Sequence, residues 1–244
     1  MKKAIRESIA VLLIFGCVTS NAIADPSSVK DVKGTDSKLD LNSPKVKATS
    51  DLQMARTLIA YGRSRGLVSP LVTAAEILID APVQPLAAQV EQGEKLSQEN
   101  VDPSVVKEPV PLPKAVDLLD EAAKLAEGQP ELLAYIGSLR SDAAEQSRAR
   151  VGGPGGADSV VGARSRDIYT QSFYGGYTAS VALVGDGTTD LDLLVYDQYG
   201  TLVGSSADYS DRGFVAWWVP RTGPYKIIVV NHGYIPNAYG IYAD

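Results

Sequence analysis

Apolar residues recur along this chain at two different periods, and the period changes near residue 150. From about residue 50, Leu52, Ala55, Leu58 and Ile59 fall at helical spacing, and Gly66 suits the end of that helix. Ser69 and Pro70 read as the N-cap and first residue of a second helix. Its apolar face is Leu71, Ala74, Ala75 and Leu78, and Pro82 stops it. The short connection makes the two helices an antiparallel hairpin. A second hairpin repeats the plan. Pro113 opens a helix with Ala115, Leu118, Leu119, Ala122 and Leu125 on its inner face, Gly128 ends it, and Gln129-Pro130 opens a fourth. That fourth helix carries Leu132, Ile136, Leu139 and Ala143. The segment 82–113 between the hairpins is rich in proline and reads as loop, with room for a short helix around 86–96. The spacing between hairpins is roughly twice that of a tetratricopeptide repeat, so four helices around one small core is the preferred reading over a peptide-binding solenoid.

Beyond the Gly-Gly-Pro-Gly-Gly run at 152–156, apolar positions alternate. Strands are predicted at 168–174, 178–184, 191–197, 202–205, 214–219, 225–230 and 239–242, separated by turns such as Gly175-Gly176, Tyr199-Gly200 and Asn231-His232-Gly233. Short strands at this spacing predict an all-β sandwich. The glycine run reads as a linker between unlike halves.

The N-terminus changes the picture of compartment. Lys2, Lys3 and Arg6 precede a short apolar run, and Ala22-Ile23-Ala24 offers small residues to a signal peptidase. The run is too short to span a bilayer, and no later segment is long and apolar enough to do so. Cleavage after Ala24 predicts a periplasmic or secreted protein; the alternative is a lipoprotein anchored at Cys17, whose context is similar to a lipobox. Removing Lys2, Lys3, Arg6 and Glu7 from the 23 basic and 29 acidic residues leaves 20 and 28, a net charge of −8. Such a balance gives no reason to bind nucleic acid. Cys17 is the chain's one cysteine, so the cleaved chain would have neither disulfides nor thiol chemistry. Residues 25–49 are rich in Ser, Lys and Asp and are read as a disordered tether.

The most informative stretch is Asp190-Leu-Asp-Leu-Leu-Val-Tyr-Asp197. As a strand it puts Leu191, Leu193 and Val195 on a core face, and Asp190 and Asp192, ~6–7 Å apart, on the other. With the preceding Gly185-Asp-Gly-Thr-Thr and the later Trp217-Trp218-Val-Pro-Arg-Thr-Gly-Pro-Tyr225 and Ile227-Ile-Val-Val-Asn231, residues 160–244 resemble the bacterial pre-peptidase C-terminal domain family. The resemblance implies a jelly-roll-like sandwich serving as an accessory module on secreted proteins, without catalysis of its own. The fold class expected is therefore α+β as separate domains: a signal peptide (1–24), a tether (25–49), a four-helix domain (50–148), a linker (149–164) and the sandwich (165–244).

Candidate chemistry is sparse. Asp186, Asp190, Asp192, Asp208 and Asp211 are the residue type a calcium ion requires, and equally the type that caps turns. Ten of the twelve tyrosines and both tryptophans fall after residue 168. Adjacent on a strand, Trp217 and Trp218 must face opposite ways, one into the core. Trp218, Tyr199, Tyr209 and Tyr234 are the candidates for ligand contact by stacking. His232 is the one histidine and sits in a turn, which leaves neither a catalytic triad nor a zinc site. The expectation is an exported bacterial protein that is not an enzyme and binds an envelope or extracellular protein. The alternative is a calcium-dependent or carbohydrate-binding surface module; a hydrolase ranks below both.

Overall fold

Ser43 and Pro44 start the first helix earlier than the apolar pattern alone indicates. The Ser43 hydroxyl accepts from the Val46 amide, and α1 (Pro44–Arg65) runs on to Gly66, a left-handed cap at φ 63°. The computed structural model describes residues 38–96, 105–149 and 152–244; the signal peptide, Cys17 and most of the expected tether lie outside them. Residues 44–49 of that tether are helical, and Val46 and Thr49 are buried. α2 (Val68–Asp80) starts one residue before Ser69, so Pro70 sits inside its first turn, where no intrahelical donor is lost. α3 (Ala115–Leu125) and α4 (Pro130–Ala149) complete the helices. Leu125, expected on the inner face of α3, is exposed at the end of the helix.

Among the described residues ten strands form two five-stranded sheets. One has the order β1 (Gln84–Pro85), β3 (Gly155–Val161), β10 (Asn237–Ala243), β5 (Tyr177–Val184) and β8 (Arg212–Val219). The other has β2 (Gln89–Lys95), β4 (Ser165–Phe173), β9 (Gly223–Asn231), β6 (Leu191–Tyr196) and β7 (Leu202–Ser206). From β3 onward each connection crosses between the sheets, except the β6–β7 hairpin. Successive strands run in opposite directions, so alternate loops gather at opposite ends of the sandwich. Leu191, Leu193 and Val195 are fully buried between the sheets, as the alternation predicts. Phe173, Trp217 and Tyr225 interlock there, with Phe173 edge-on to Trp217 at 4.9 Å.

Two stretches differ from expectation. β2 lies where a short helix or loop was expected, and β3 occupies part of the glycine linker. Neither carries the alternating apolar pattern that marks a strand. β2 is exposed along its whole length and is held by backbone pairing to β4 and by an Arg166–Glu94 ion pair. All seven residues of β3 pair with β10.

The helices lie against the outer face of the first sheet. Leu52, Leu71, Leu118 and Ile136 share one apolar cluster with Ala182 of β5 and Tyr242 of β10, and Phe214 packs against it. Polar ties reinforce this contact. The Gln53 amide donates to the Leu183 and Gly213 carbonyls. Arg56 donates to Asp158 at 2.5 Å, to the Tyr242 hydroxyl at 2.9 Å and to the Val110 carbonyl. The described residues thus form helices in the N-terminal half followed by a β-sandwich, with one sheet covered and the other open. No helix among them is long and apolar enough to cross a membrane.

Candidate functional site

The strand registers assign each candidate residue to an end. Val184 stands beside Arg212 and Gly240, and Leu191 beside Asn231, so loops 185–190, 207–211 and 232–236 share one end. Phe173 pairs with Gly223, Tyr177 with Val219, and Tyr196 with Leu202, so loops 174–176, 197–201 and 220–222 share the other.

All five candidate aspartates sit at the first end; four are engaged by hydrogen bonds or an ion pair, and Asp190 Oδ1 is buried without a hydrogen-bond partner among the described residues. Asp186 accepts from Lys107 at 2.7 Å, from the Thr188 hydroxyl and from the Ala238 amide. Burial pushes its carboxyl up, but these bonds outweigh burial and hold it below the ordinary value. Asp211 accepts the Gly187 amide, and Asp208 accepts the Ser210 hydroxyl. Asp192 pairs with His232 at 2.7 Å. Asp190 is pushed up, first by burial and then by the like charge of Asp192. Among the described residues no group of three or more His, Cys, Asp or Glu side chains is gathered closely enough to hold a metal ion.

The four aromatic candidates do not meet. Tyr209 and Tyr234 are at the aspartate end, and Tyr199 is at the opposite one. Trp217 is in the core, while Trp218 is half-buried on the outer face of the helix-covered sheet, with Lys38 5.6 Å from its ring centre. A strand running the length of the sandwich separates residues that are near neighbours in the chain: β7 lies between Tyr199 and Tyr209.

Tyr199 does have company that the sequence reading missed. Tyr174 and Tyr177 flank the Gly175-Gly176 turn at the same end, and Arg221 lies on the adjoining loop. Tyr174, Tyr177 and Tyr199 are 77%, 61% and 80% exposed, which sets them apart from the buried Tyr169, Tyr225, Tyr239 and Tyr242. The turns that carry them are pinned. Asp197 accepts the Tyr199 and Thr201 amides at 2.9 and 2.8 Å. The Gly175 amide donates to the Thr222 hydroxyl at 2.9 Å, and the Gly176 amide to the Val219 carbonyl at 2.8 Å. Between Tyr199, Pro220, Arg221 and Pro224 is a depression of about 300 Å³. The tyrosines flanking a double glycine were the available signal, since a turn tip is where an aromatic ring cannot reach the core.

Gly175 makes this arrangement dependent on one missing methyl group. A Cβ there would stand 2.6 Å from the Thr222 nitrogen and 2.8 Å from the Arg221 carbonyl carbon. Both are backbone atoms, so Gly175→Ala must push the two loops apart. The expected result is a loss of ~1–3 kcal/mol in chemical denaturation, with amide shifts confined to the 174–177 and 220–222 loops.

The fold defines a class, a β-sandwich with a helical layer on one sheet. No protein-family model matches the chain, and no curated protein matches it. Among solved structures it is similar to the pre-peptidase C-terminal domain of a Bacillus anthracis collagenase, at 10% identity and TM-score 0.32, over 39% of this chain and 92% of that one. It is also similar to a periplasmic inhibitor of g-type lysozyme from Aeromonas hydrophila, at 13% identity and TM-score 0.28, over 37% and 86%. A third is the Yersinia pseudotuberculosis-derived mitogen, at 10% identity and TM-score 0.27, over 38% and 86%.

Proposed function

We propose that this chain is an exported, non-catalytic binding protein that recognises a protein partner through the tyrosine-bearing loop end of its sandwich. The observation that carries this reading is the exposure of Tyr174, Tyr177 and Tyr199 on two turns whose backbones are already hydrogen-bonded in place. Tyrosine offers a large amphipathic surface for little side-chain entropy, and a fixed turn lowers the cost of ordering it on binding. Arg221 adds a side-chain type that is enriched beside aromatic anchors at interfaces. The helices are read as the part that covers one sheet and holds the sandwich together.

Site-specific photo-crosslinking tests the reading. A photoreactive amino acid at position 174 or 199 is expected to give one discrete adduct in the native envelope or medium, and the same probe at 234 is expected to give none. Tyr174→Ala with Tyr199→Ala should then weaken the identified partner by at least about tenfold, while the melting temperature stays put. Adducts in equal yield from both ends would remove the assignment of the surface. Binding on a glycan array that is lost with Tyr199→Ala would move the partner from protein to carbohydrate.

A further inference from the structure

A cavity of about 340 Å³ lies at the opposite end of the sandwich from Tyr174, Tyr177 and Tyr199, where α1 meets the aspartate end. Its wall on α1 carries Arg56, Ile59, Ala60 and Arg63; residues 110–113 roof it, and Val184 to Gly187 with Arg212 form the floor. The spacing of the α1 residues puts them on one helix face. Apart from its arginines and Asp186, the lining is mostly Ile, Val, Leu, Pro and Ala.

The three arginines differ in their partners. Arg56 is matched by Asp158, and Arg63 makes a two-pronged bond to Glu121 at 2.9–3.1 Å. Arg212 is half-buried, and among the described residues its guanidinium has neither a hydrogen bond nor an ion pair; its backbone alone is engaged, through Ser210. A half-buried cation beside an apolar cavity is favoured by an anion that completes its hydrogen bonds. The anion cannot carry much charge, because Asp186 lines the same floor and Asp211 adjoins it through its bond from Gly187. A planar carboxylate matches the guanidinium fork. The volume falls at the lower end of small-molecule sites, ~300–1,000 Å³.

We infer that this cavity binds a small monocarboxylate with an apolar body, its carboxylate on Arg212 and its body against Ile59 and the 110–113 segment. The site is separate from the tyrosine surface, so it stands or falls independently of that reading.

The full chain is titrated calorimetrically with hexanoate and decanoate, with 1-hexanol and hexyl phosphate as comparisons. At least one carboxylate is expected to saturate a single site and to shift amide resonances of 59–63, 110–113 and 184–187. The alcohol and the phosphate are expected to bind at least about tenfold more weakly, and Arg212→Gln to weaken the carboxylate by about tenfold with an unchanged melting temperature. Ala60→Leu narrows the mouth without touching charge and should also weaken binding, which keeps the test intact if the arginine variant folds poorly. Saturation by neither carboxylate, equal binding of the alcohol, tighter binding of the phosphate, or wild-type affinity in both variants overturns the assignment.

Discussion

Residues 152–244 expressed alone are expected to give no cooperative thermal transition, whereas the full chain melts with one. The seven strands that alternation marks, together with β3, make a plausible sandwich by themselves, and their core is well filled. Two features argue against its independence. First, β1 and β2 come from the segment between the helical hairpins, so removing them bares the edges of β3 and β4. An unpaired β4 edge presents a row of free donors and acceptors to other chains. Second, Ala182, Tyr242 and Phe214 point outward from the first sheet into the helical cluster, and without the helices they face water. Tyr242 is 1% exposed in the whole chain, and its hydroxyl would lose Arg56. Lost pairing and exposed apolar area together approach the entire stability of a domain this size, ~5–15 kcal/mol. Far-ultraviolet dichroism with sedimentation checks it. A monomeric fragment with a sharp melt would show that the helices and β2 are accessories rather than parts of the folding unit.

The second large effect is expected inside the sandwich, at Asp167. This carboxylate is fully buried beside the bulge in β2. The Tyr239 hydroxyl donates to it at 2.6 Å, and the Gly93 amide at 2.9 Å. The Tyr169 hydroxyl meets that of Tyr239 at 2.6 Å, and Gln92 reaches Ser159 alongside. Asp167→Ala removes the acceptor of the buried Tyr239 hydroxyl and of the Gly93 amide and unpins β2. A loss of ~3–5 kcal/mol is expected in urea denaturation, with accelerated hydrogen exchange at 90–94. Asp167→Asn keeps an acceptor for Gly93 and should cost far less.

The same residue gives a pH dependence of defined sign. Burial raises the Asp167 carboxyl above its ordinary value, against the opposing bonds from Tyr239, Gly93 and Ser159. Burial also pushes Tyr169 up to about 12, so that hydroxyl stays protonated at neutral pH. Between the ordinary and the raised value the folded chain keeps a proton that the unfolded chain has released. The contribution of Asp167 is therefore greatest below the ordinary carboxyl range and declines as pH rises through the raised value. Wild type should lose stability relative to Asp167→Asn over that interval and run parallel to it above. A gap that widens in the opposite direction would mean that the hydrogen bonds, not burial, govern this carboxyl.

Much of this architecture was legible in local pattern. Leu191, Leu193 and Val195 alternate with Asp192 and Leu194, and a sheet with one wet and one dry face admits no other register. The inner faces of α2 and, as far as Ala122, of α3 were equally plain, because apolar residues three and four apart have to share a stripe. Turn residues marked the loops, including the double glycine between Tyr174 and Tyr177. Strand geometry required the paired tryptophans to face opposite ways, and Trp217 is the one that faces inward.

Long-range pairing settled the rest. β2 consists mostly of polar residues whose strand state comes from the backbone of β4, far along the chain, and nothing in its own side chains announces it. The same holds for β3, built largely of small residues, and for Asp167, whose burial depends on Tyr239 and Gly93 arriving from two other strands. The grouping of loops into two ends, which joins Tyr199 to Tyr174 and parts it from Tyr209 and Tyr234, follows from the strand order and from nothing local. Periodicity reports which way a side chain faces, because that is a property of one strand or helix. Which residues meet is a property of the tertiary arrangement: the sheet order assembles the tyrosine end and the Asp167 network, and the seating of α1 and residues 110–113 on the first sheet makes the Arg212 cavity.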